Sequence, residues 1–100
     1  MIVFFDLPTN TATQRKVAAK FRKFLLSDGY YMVQYSIYVR TCNGTDAVDK
    51  HKKRLYKSLP DNGCVRLLVI TNKQYQNMEI LVGTLKPEEK PPNVEQLTIY

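Results

Sequence analysis

The sequence predicts an α+β domain in which one face of an antiparallel sheet carries two helices. An unbroken apolar run opens the chain and ends at a proline, as expected of a strand that is buried on both faces. Strand-like and helix-like patterns then follow in the order strand, helix, strand, strand, helix, strand. That order is typical of the ferredoxin-like βαββαβ fold, in which right-handed crossovers leave the first strand in the middle of the sheet.

The first strand is predicted within residues 1–7, and it ends at Asp6-Leu7-Pro8. Because Pro8 cannot donate a ladder hydrogen bond and holds Leu7 extended, the chain must leave the sheet here. A carboxylate at this end of a central strand faces the crevice where ligands commonly bind, so Asp6 is a candidate catalytic residue. The alternative is an ordinary turn-forming aspartate whose side chain bonds nearby backbone amides.

A first helix is predicted to begin after Thr11, which forms a capping box with Gln14, and to end at Asp28-Gly29. Its apolar stripe consists of Val17, Ala18, Phe21, Phe24 and Leu25. Five basic residues lie elsewhere on this helix without interleaved acids: Arg15, Lys16, Lys20, Arg22 and Lys23. Such a surface repels itself unless an anion binds to it, although a solvated helix face is the ordinary alternative.

Residues 30–41 predict a long aromatic and β-branched strand with a candidate break near Gln34. Tyr38 and Arg40 share one of its faces and are candidates for stacking on bases, although cross-strand packing is the commoner role of a strand tyrosine. A second helix follows the turn at 43–46, and residues 64–71 and 78–83 predict further strands. His51, the only histidine, is a candidate acid or base, with a solvated residue on a charged helix as the simpler interpretation.

The ferredoxin-like domain is expected to span residues 1–83. Residues 84–100 then form a stiff, charged, proline-containing linker and a short segment of strand composition. We expect this last segment, which includes Leu97, Thr98 and Ile99, to serve as an edge strand for another subunit. The alternative is a frayed terminus.

The charge distribution indicates a polyanionic partner. The formal net charge is +6, and residues 7–60 hold eleven Lys or Arg against only three Asp. No stretch is long and apolar enough to cross a membrane and no signal peptide is recognisable, so a cytoplasmic protein is expected. Cys42 and Cys64 lie too far apart, and without histidine at ligand spacing, to indicate a zinc site or a disulfide framework; both are interpreted as small buried hydrophobes.

Five segments together resemble one family, the small CRISPR-associated Cas2 proteins, particularly the form that accompanies Cas9 systems. The segments are 5–8, 21–25, 34–40, 65–69 and 95–100, and the resemblance covers the whole chain. It implies a ferredoxin-like homodimer, with the tail strand added to the partner's sheet, that joins the Cas1 integrase and binds duplex DNA for spacer acquisition. It also implies metal-dependent endonuclease activity on RNA or duplex DNA.

Carried across residue by residue, the resemblance makes Asp6 the metal-binding acid, Arg15 the helix arginine and Tyr38 the aromatic that follows the family's pair of a serine and a hydrophobic residue. Phe5 and Met32 replace a tyrosine and a basic residue found in many RNA-cleaving members, which weakens the expectation of ribonuclease activity. Because one carboxylate is a poor catalyst for phosphodiester hydrolysis, we expect Asp6 of both subunits to share Mg²⁺ or Mn²⁺ across a two-fold axis. Like charges that close repel, so activity should depend on pH as well as on metal.

Two other functions fit the same residues. A stand-alone ribonuclease, resembling the similarly folded toxin family, would cleave RNA without an integrase. A non-catalytic ferredoxin-like module would bind RNA or a small ligand and cleave nothing.

Overall fold

A computed structural model describes residues 1–83 of the chain. Seven elements follow one another: β1 (Ile2–Asp6), α1 (Ala12–Ser27), β2 (Tyr31–Gln34), β3 (Ile37–Val39), α2 (Gly44–Lys57), β4 (Cys64–Leu68) and α3 (Asn72–Gln76). The four strands form one antiparallel sheet in the order β2-β3-β1-β4. The sheet order and the central position of β1 confirm the predicted ferredoxin-like class. Two compact units divide the chain, Met1–Val69 with the whole sheet and a second that starts at Ile70.

The core lies on one face of the sheet, where both long helices pack. Val3 is fully buried and pairs with Tyr38 on β3 and Leu67 on β4. Phe21 of α1 and Leu55 of α2 are buried in the same cluster. Since side chains alternate along a strand, Phe5 also points to this face, where its ring meets Phe21 edge-on at 5.3 Å between centroids.

The ends of α1 are those that the sequence predicts. Thr11 Oγ1 accepts from the Gln14 amide at 3.1 Å, while Gln14 Oε1 accepts from the Thr11 amide at 3.1 Å, which completes the capping box. At the other end Gly29 has a φ of +96°, a left-handed conformation that favours glycine. The stripe is narrower than predicted, because Val17 is 42% exposed.

The predicted strand at 30–41 is a hairpin. Tyr35 and Ser36 form its turn, with Ser36 at a φ of +63°, and the register shifts between Met32 and Gln34. The break near Gln34 is therefore confirmed. The assignment of alternating faces along one continuous strand is wrong, because the chain reverses at residues 35–36.

The prediction of a strand at residues 78–83 is wrong. Those residues form no ladder with the described part of the chain, and the polar segment before them forms the short helix α3, capped by Thr71. Apolar, β-branched composition favours a strand only where a neighbour supplies hydrogen bonds, and within residues 1–83 the last strand of the sheet is β4. Within residues 1–83, no helix is both long and apolar enough to cross a membrane.

Candidate nucleic-acid and metal site

Asp6 lies at the carboxyl end of the central strand, and its side chain is exposed. Since Phe5 points towards the helices, Asp6 points to the opposite, open face of the sheet. Gly63 packs against the backbone here, because a Cβ on Gly63 would lie 2.7 Å from the Asp6 carbonyl oxygen. The close approach fixes where β1 ends and β4 begins, and so fixes the backbone that carries the carboxylate.

The surroundings of Asp6 leave its carboxylate available. No group in residues 1–83 donates a hydrogen bond to it, and no cluster of three or more potential metal ligands exists in that part of the chain. Cys64 lies opposite Asp6 in the β1–β4 ladder and is exposed. Arg66 shares the same face, and its hydrogen bond with Cys64 raises the pKa of the guanidinium. The prediction that both cysteines are buried is wrong for Cys64, because its strand position faces the uncovered side of the sheet.

The basic residues predicted on α1 all lie on its exposed surface: Arg15, Lys16, Lys20, Arg22 and Lys23. Arg15 donates from Nη1 to the Thr9 carbonyl at 3.2 Å. None of the five forms an ion pair within residues 1–83. The helix therefore presents uncompensated positive charge, which favours contact with phosphates.

Tyr38 and Arg40, the two strand residues predicted to contact nucleic acid, are engaged within the fold. Tyr38 is 2% exposed and stacks on Phe5 at 5.6 Å between ring centroids. Arg40 donates from Nε to the Asp28 carbonyl and from Nη1 to the Thr41 carbonyl, both at 2.7 Å. These contacts hold the end of α1 to the sheet, and the contribution of either residue to nucleic-acid binding stays a prediction.

A buried ionisable cluster joins α1 to α2. His51, only 4% exposed, bonds through Nδ1 to Asp28 Oδ2 at 2.8 Å, and Arg54 donates from Nη1 to Asp28 Oδ1 at 2.9 Å. Because an ionised carboxylate only accepts, Nδ1 of His51 carries the hydrogen. Burial by itself raises the pKa of Asp28, but the hydrogen bonds from His51 and Arg54 outweigh it and the pKa is lowered.

The solvated interpretation of His51 is therefore wrong, and this histidine does not lie at the rim that carries Asp6. The signal in the sequence was the spacing of His51 and Arg54, which puts both on one side of α2. Their partner Asp28 is distant in the sequence, so the spacing alone did not identify it.

Comparison with known proteins identifies the family. The family model of CRISPR associated protein Cas2 matches residues 1–78. The chain belongs to the Cas2 family. A relative from Acidovorax ebreus is 47% identical over 100% of this chain and 98% of its own. Relatives from Flavobacterium psychrophilum and Campylobacter jejuni are 44% and 39% identical over 100% of this chain, and over 86% and 70% of theirs. All three carry the name CRISPR-associated endoribonuclease Cas2.

Membership of the Cas2 family confirms the resemblance stated from the sequence. The residues that prompted it are spread over both faces of the sheet, since Asp6 lies on the open face and Arg15 and Tyr38 lie on the helix side. Leu97, Thr98 and Ile99 lie outside the described residues.

Proposed function

We propose that this Cas2-family chain is a metal-dependent phosphodiester endonuclease subunit of the CRISPR adaptation machinery. The observation that carries the proposal is the Asp6 carboxylate, exposed at the end of the central strand and without a hydrogen-bond partner in residues 1–83. A carboxylate without a partner in that part of the chain is available to bind a cation. The names of the relatives add that similar chains act as endoribonucleases.

Asp6 fits a hard divalent cation such as Mg²⁺ or Mn²⁺ as one oxygen ligand. Mg²⁺ commonly keeps several waters and binds one or two carboxylates together with substrate phosphate, so a single acid per protomer is compatible with it. A second copy of the chain would supply a second Asp6 in a two-fold dimer. When bound, the cation would acidify a water molecule and stabilise the charge that develops on the phosphate.

The α1 surface would bind the nucleic acid through its phosphates. Lysines and arginines at the surface position a strand without reading its sequence, so affinity should be weakly sequence-dependent and should fall with salt. Duplex DNA is the primary substrate that we propose and RNA is the second. Phe5 and Met32 are apolar on the helix side, where many RNA-cleaving relatives are expected to carry a hydroxyl and a positive charge.

The assembly that we propose is a homodimer bound to the Cas1 integrase. Residues 1–83 would form the ferredoxin-like domain, and residues 84–100 the linker and the strand that completes the partner's sheet. Leu97, Thr98 and Ile99 would lie in that strand. The open face of the sheet, which carries Asp6, is where two copies would bring their carboxylates together.

A non-catalytic, DNA-binding scaffold is the second candidate function. It is favoured by the side chains that residues 1–83 offer, because no group of three potential metal ligands occurs among them. A scaffold would use the charge of α1 and would need no cation.

A cleavage assay on duplex DNA and RNA, with and without Mg²⁺ or Mn²⁺ over a range of pH, separates the two functions. Asp6→Asn retains the size of the side chain and removes its charge, and it should lower cleavage by at least about 100-fold because several kcal/mol of charge stabilisation are lost. Asp49→Asn, which removes an exposed acid on α2, is the matched control. If Asp6→Asn cleaves at the wild-type rate, or if neither wild type nor Asp6→Asn cleaves, the endonuclease proposal fails and the non-catalytic scaffold is the remaining candidate function.

A further inference from the structure

A groove of about 190 Å³ opens between α1 and the β2–β3 hairpin, on the helix side of the sheet. The stacked rings of Phe5 and Tyr38 form its floor. Ala18 and Ala19 of α1 are among the residues that line it, and their small side chains leave space that a leucine would fill. The volume is below that of pockets for drug-sized ligands and suits one flat ring.

The walls of the groove carry positive charge and no acid. Arg15 and Arg22 lie two helical turns apart on α1, and both line the groove. Arg22 has no hydrogen bond or ion pair within residues 1–83, and Arg15 uses one of its donors on the Thr9 carbonyl. Two guanidinium groups with free donors at one groove favour an anionic oxygen ligand such as phosphate.

Tyr35 supplies an exposed aromatic ring at the rim. It occupies the hairpin turn and is 87% exposed. The next residue, Ser36, has a left-handed backbone, and its carbonyl accepts from the Phe5 amide at 3.1 Å. The hydrogen bond attaches the turn to the central strand, so the Tyr35 ring is presented from a fixed backbone. Met32, 46% exposed, adds a polarisable side chain beside it.

The polar ends of these side chains act on one another. The pKa of the Tyr38 hydroxyl is raised, mainly because the group is buried. The Arg22 guanidinium lowers this pKa and Tyr35 raises it. The three groups therefore lie within electrostatic reach of one another at the same groove. An aromatic ring, a thioether and two arginines at one opening are the components that bind an unstacked base and its phosphate.

We propose that this groove binds one unstacked nucleotide, with its base against Tyr35 and Met32 and its phosphate on Arg15 and Arg22. The proposal rests on the proposed nucleic-acid function. It adds a binding site for one base to the phosphate contacts of the α1 surface. Paired bases inside a duplex cannot enter a groove of this size, so the nucleotide must lie outside the stack. It is supplied either by the unpaired end of a strand or by a free mononucleotide.

The test compares three ligands in the presence of EDTA, so that no cleavage occurs. They are a blunt duplex, the same duplex with one unpaired 2-aminopurine nucleotide at its end, and the free 2-aminopurine ribonucleoside 5′-monophosphate. We expect the wild-type chain to bind the extended duplex about tenfold more tightly than the blunt one, because stacking one base on an aromatic side chain contributes on this scale. The 2-aminopurine fluorescence should be quenched on binding.

Five variants distinguish binding in the groove from attraction to the general positive charge of α1. Tyr35→Ala should remove the tenfold preference and the quenching, whereas Tyr35→Phe should retain both, and each should bind the blunt duplex within about twofold of wild type. Ala18→Leu should remove the preference with every charge in place. Binding to the blunt duplex should weaken to the same extent in Arg22→Ala and Lys23→Ala. Only Arg22→Ala should also reduce the preference for the extended duplex, because Lys23 does not line the groove.

The two sources give different results. Tyr35-dependent quenching of the free monophosphate supports a mononucleotide ligand, and a preference confined to the extended duplex supports a strand end. The proposal is overturned if Tyr35→Ala binds both 2-aminopurine ligands as wild type does. It is also overturned if wild type binds the extended duplex no more tightly than the blunt duplex and does not quench the free monophosphate. Failure of the nucleic-acid binding on which the proposal rests is distinct, because the blunt duplex would then not bind either. Failure of the endonuclease activity is also distinct, because it affects cleavage with Mg²⁺ or Mn²⁺ and not binding in EDTA.

Discussion

Asp6 and Asp28 both end an element of secondary structure, and they differ in what surrounds the carboxylate. Asp28 is 9% exposed and accepts from His51 and Arg54, so its hydrogen-bonding capacity is used inside the fold. Asp6 is exposed and accepts from no group in residues 1–83. Position at the end of an element therefore does not by itself indicate a functional acid. A carboxylate without a partner in residues 1–83, such as that of Asp6, is the better candidate, and its function stays a prediction.

The strongest test of this difference replaces each aspartate by alanine. Asp28→Ala leaves the buried His51 without its partner and should lower the free energy of unfolding by about 3 kcal/mol. For a domain of this size the melting temperature should fall by more than about 10 °C. Asp6→Ala should change the stability by no more than about 0.5 kcal/mol, because its side chain is exposed and has no partner among residues 1–83. Equal losses in thermal unfolding would contradict the distinction.

Two glycines test how the backbone holds Asp6. Gly63 and Gly44 have left-handed φ values of +95° and +83°, so alanine strains both by about 1–2 kcal/mol. A Cβ at Gly63 would also lie 2.7 Å from the Asp6 carbonyl oxygen, whereas nothing lies within 4 Å of one at Gly44. Gly63→Ala should therefore destabilise by about 1–3 kcal/mol more than Gly44→Ala.

Denaturant unfolding of the two glycine variants measures that difference, and a cleavage assay at matched folded fraction measures the effect on Asp6. A displaced strand end should lower the activity of Gly63→Ala while Gly44→Ala retains it. Identical behaviour of the two variants would show that the close approach does not position Asp6.

Acid should remove the contribution of Asp28 to the stability of the fold. Because the pKa of Asp28 is lowered in the folded chain, its stabilisation is fully present above the ordinary carboxyl pKa of about 4. It declines as the pH falls further, since the unfolded chain takes up the proton first, and it is lost once the pH passes the folded value. Urea unfolding of wild type and Asp28→Asn from pH 5 to 2.5 should show a narrowing gap, and a constant gap would refute the assignment.

The smallest effect is expected at the exposed partner of Asp28. Arg54 is 49% exposed, so its ion pair is screened by solvent and Arg54→Met should cost only about 0.2–1 kcal/mol. Lys53→Met, an exposed neighbour with no ion pair in residues 1–83, is the matched control for loss of a charge. A loss at Arg54 as large as that of Asp28→Ala would show that His51 contributes little.

Local rules predicted the elements that depend on neighbouring residues. The capping box of Thr11, the left-handed Gly29 and the exit of β1 before Pro8 are each decided within a few residues, and all are present. The order of the elements then limited the topology to the observed sheet. The position of Asp6 was predicted for the same reason, because the strand and the proline fix it at the rim, whereas its role stays a prediction.

Features that depend on distant residues were missed or wrongly predicted. Nothing near His51 in the sequence indicates that it is buried against Asp28, 23 positions away. The turn at Tyr35-Ser36 lacks the glycine or asparagine that usually marks a two-residue hairpin turn. Cys64 is exposed because residues 1–83 leave its face of the sheet uncovered at that position, which the composition of β4 does not reveal.

The central position of β1 has a consequence for synthesis in the cell. Of the described strands, the apolar β1 leaves the ribosome before the others, and both of its neighbours come later, β3 at Ile37–Val39 and β4 at Cys64–Leu68. At roughly 5–20 residues per second, β1 stays without its second neighbour for about 3–12 s. During that interval its unpaired edges are open to association with other nascent chains, so the yield of folded protein should depend on chaperones and on the rate of translation.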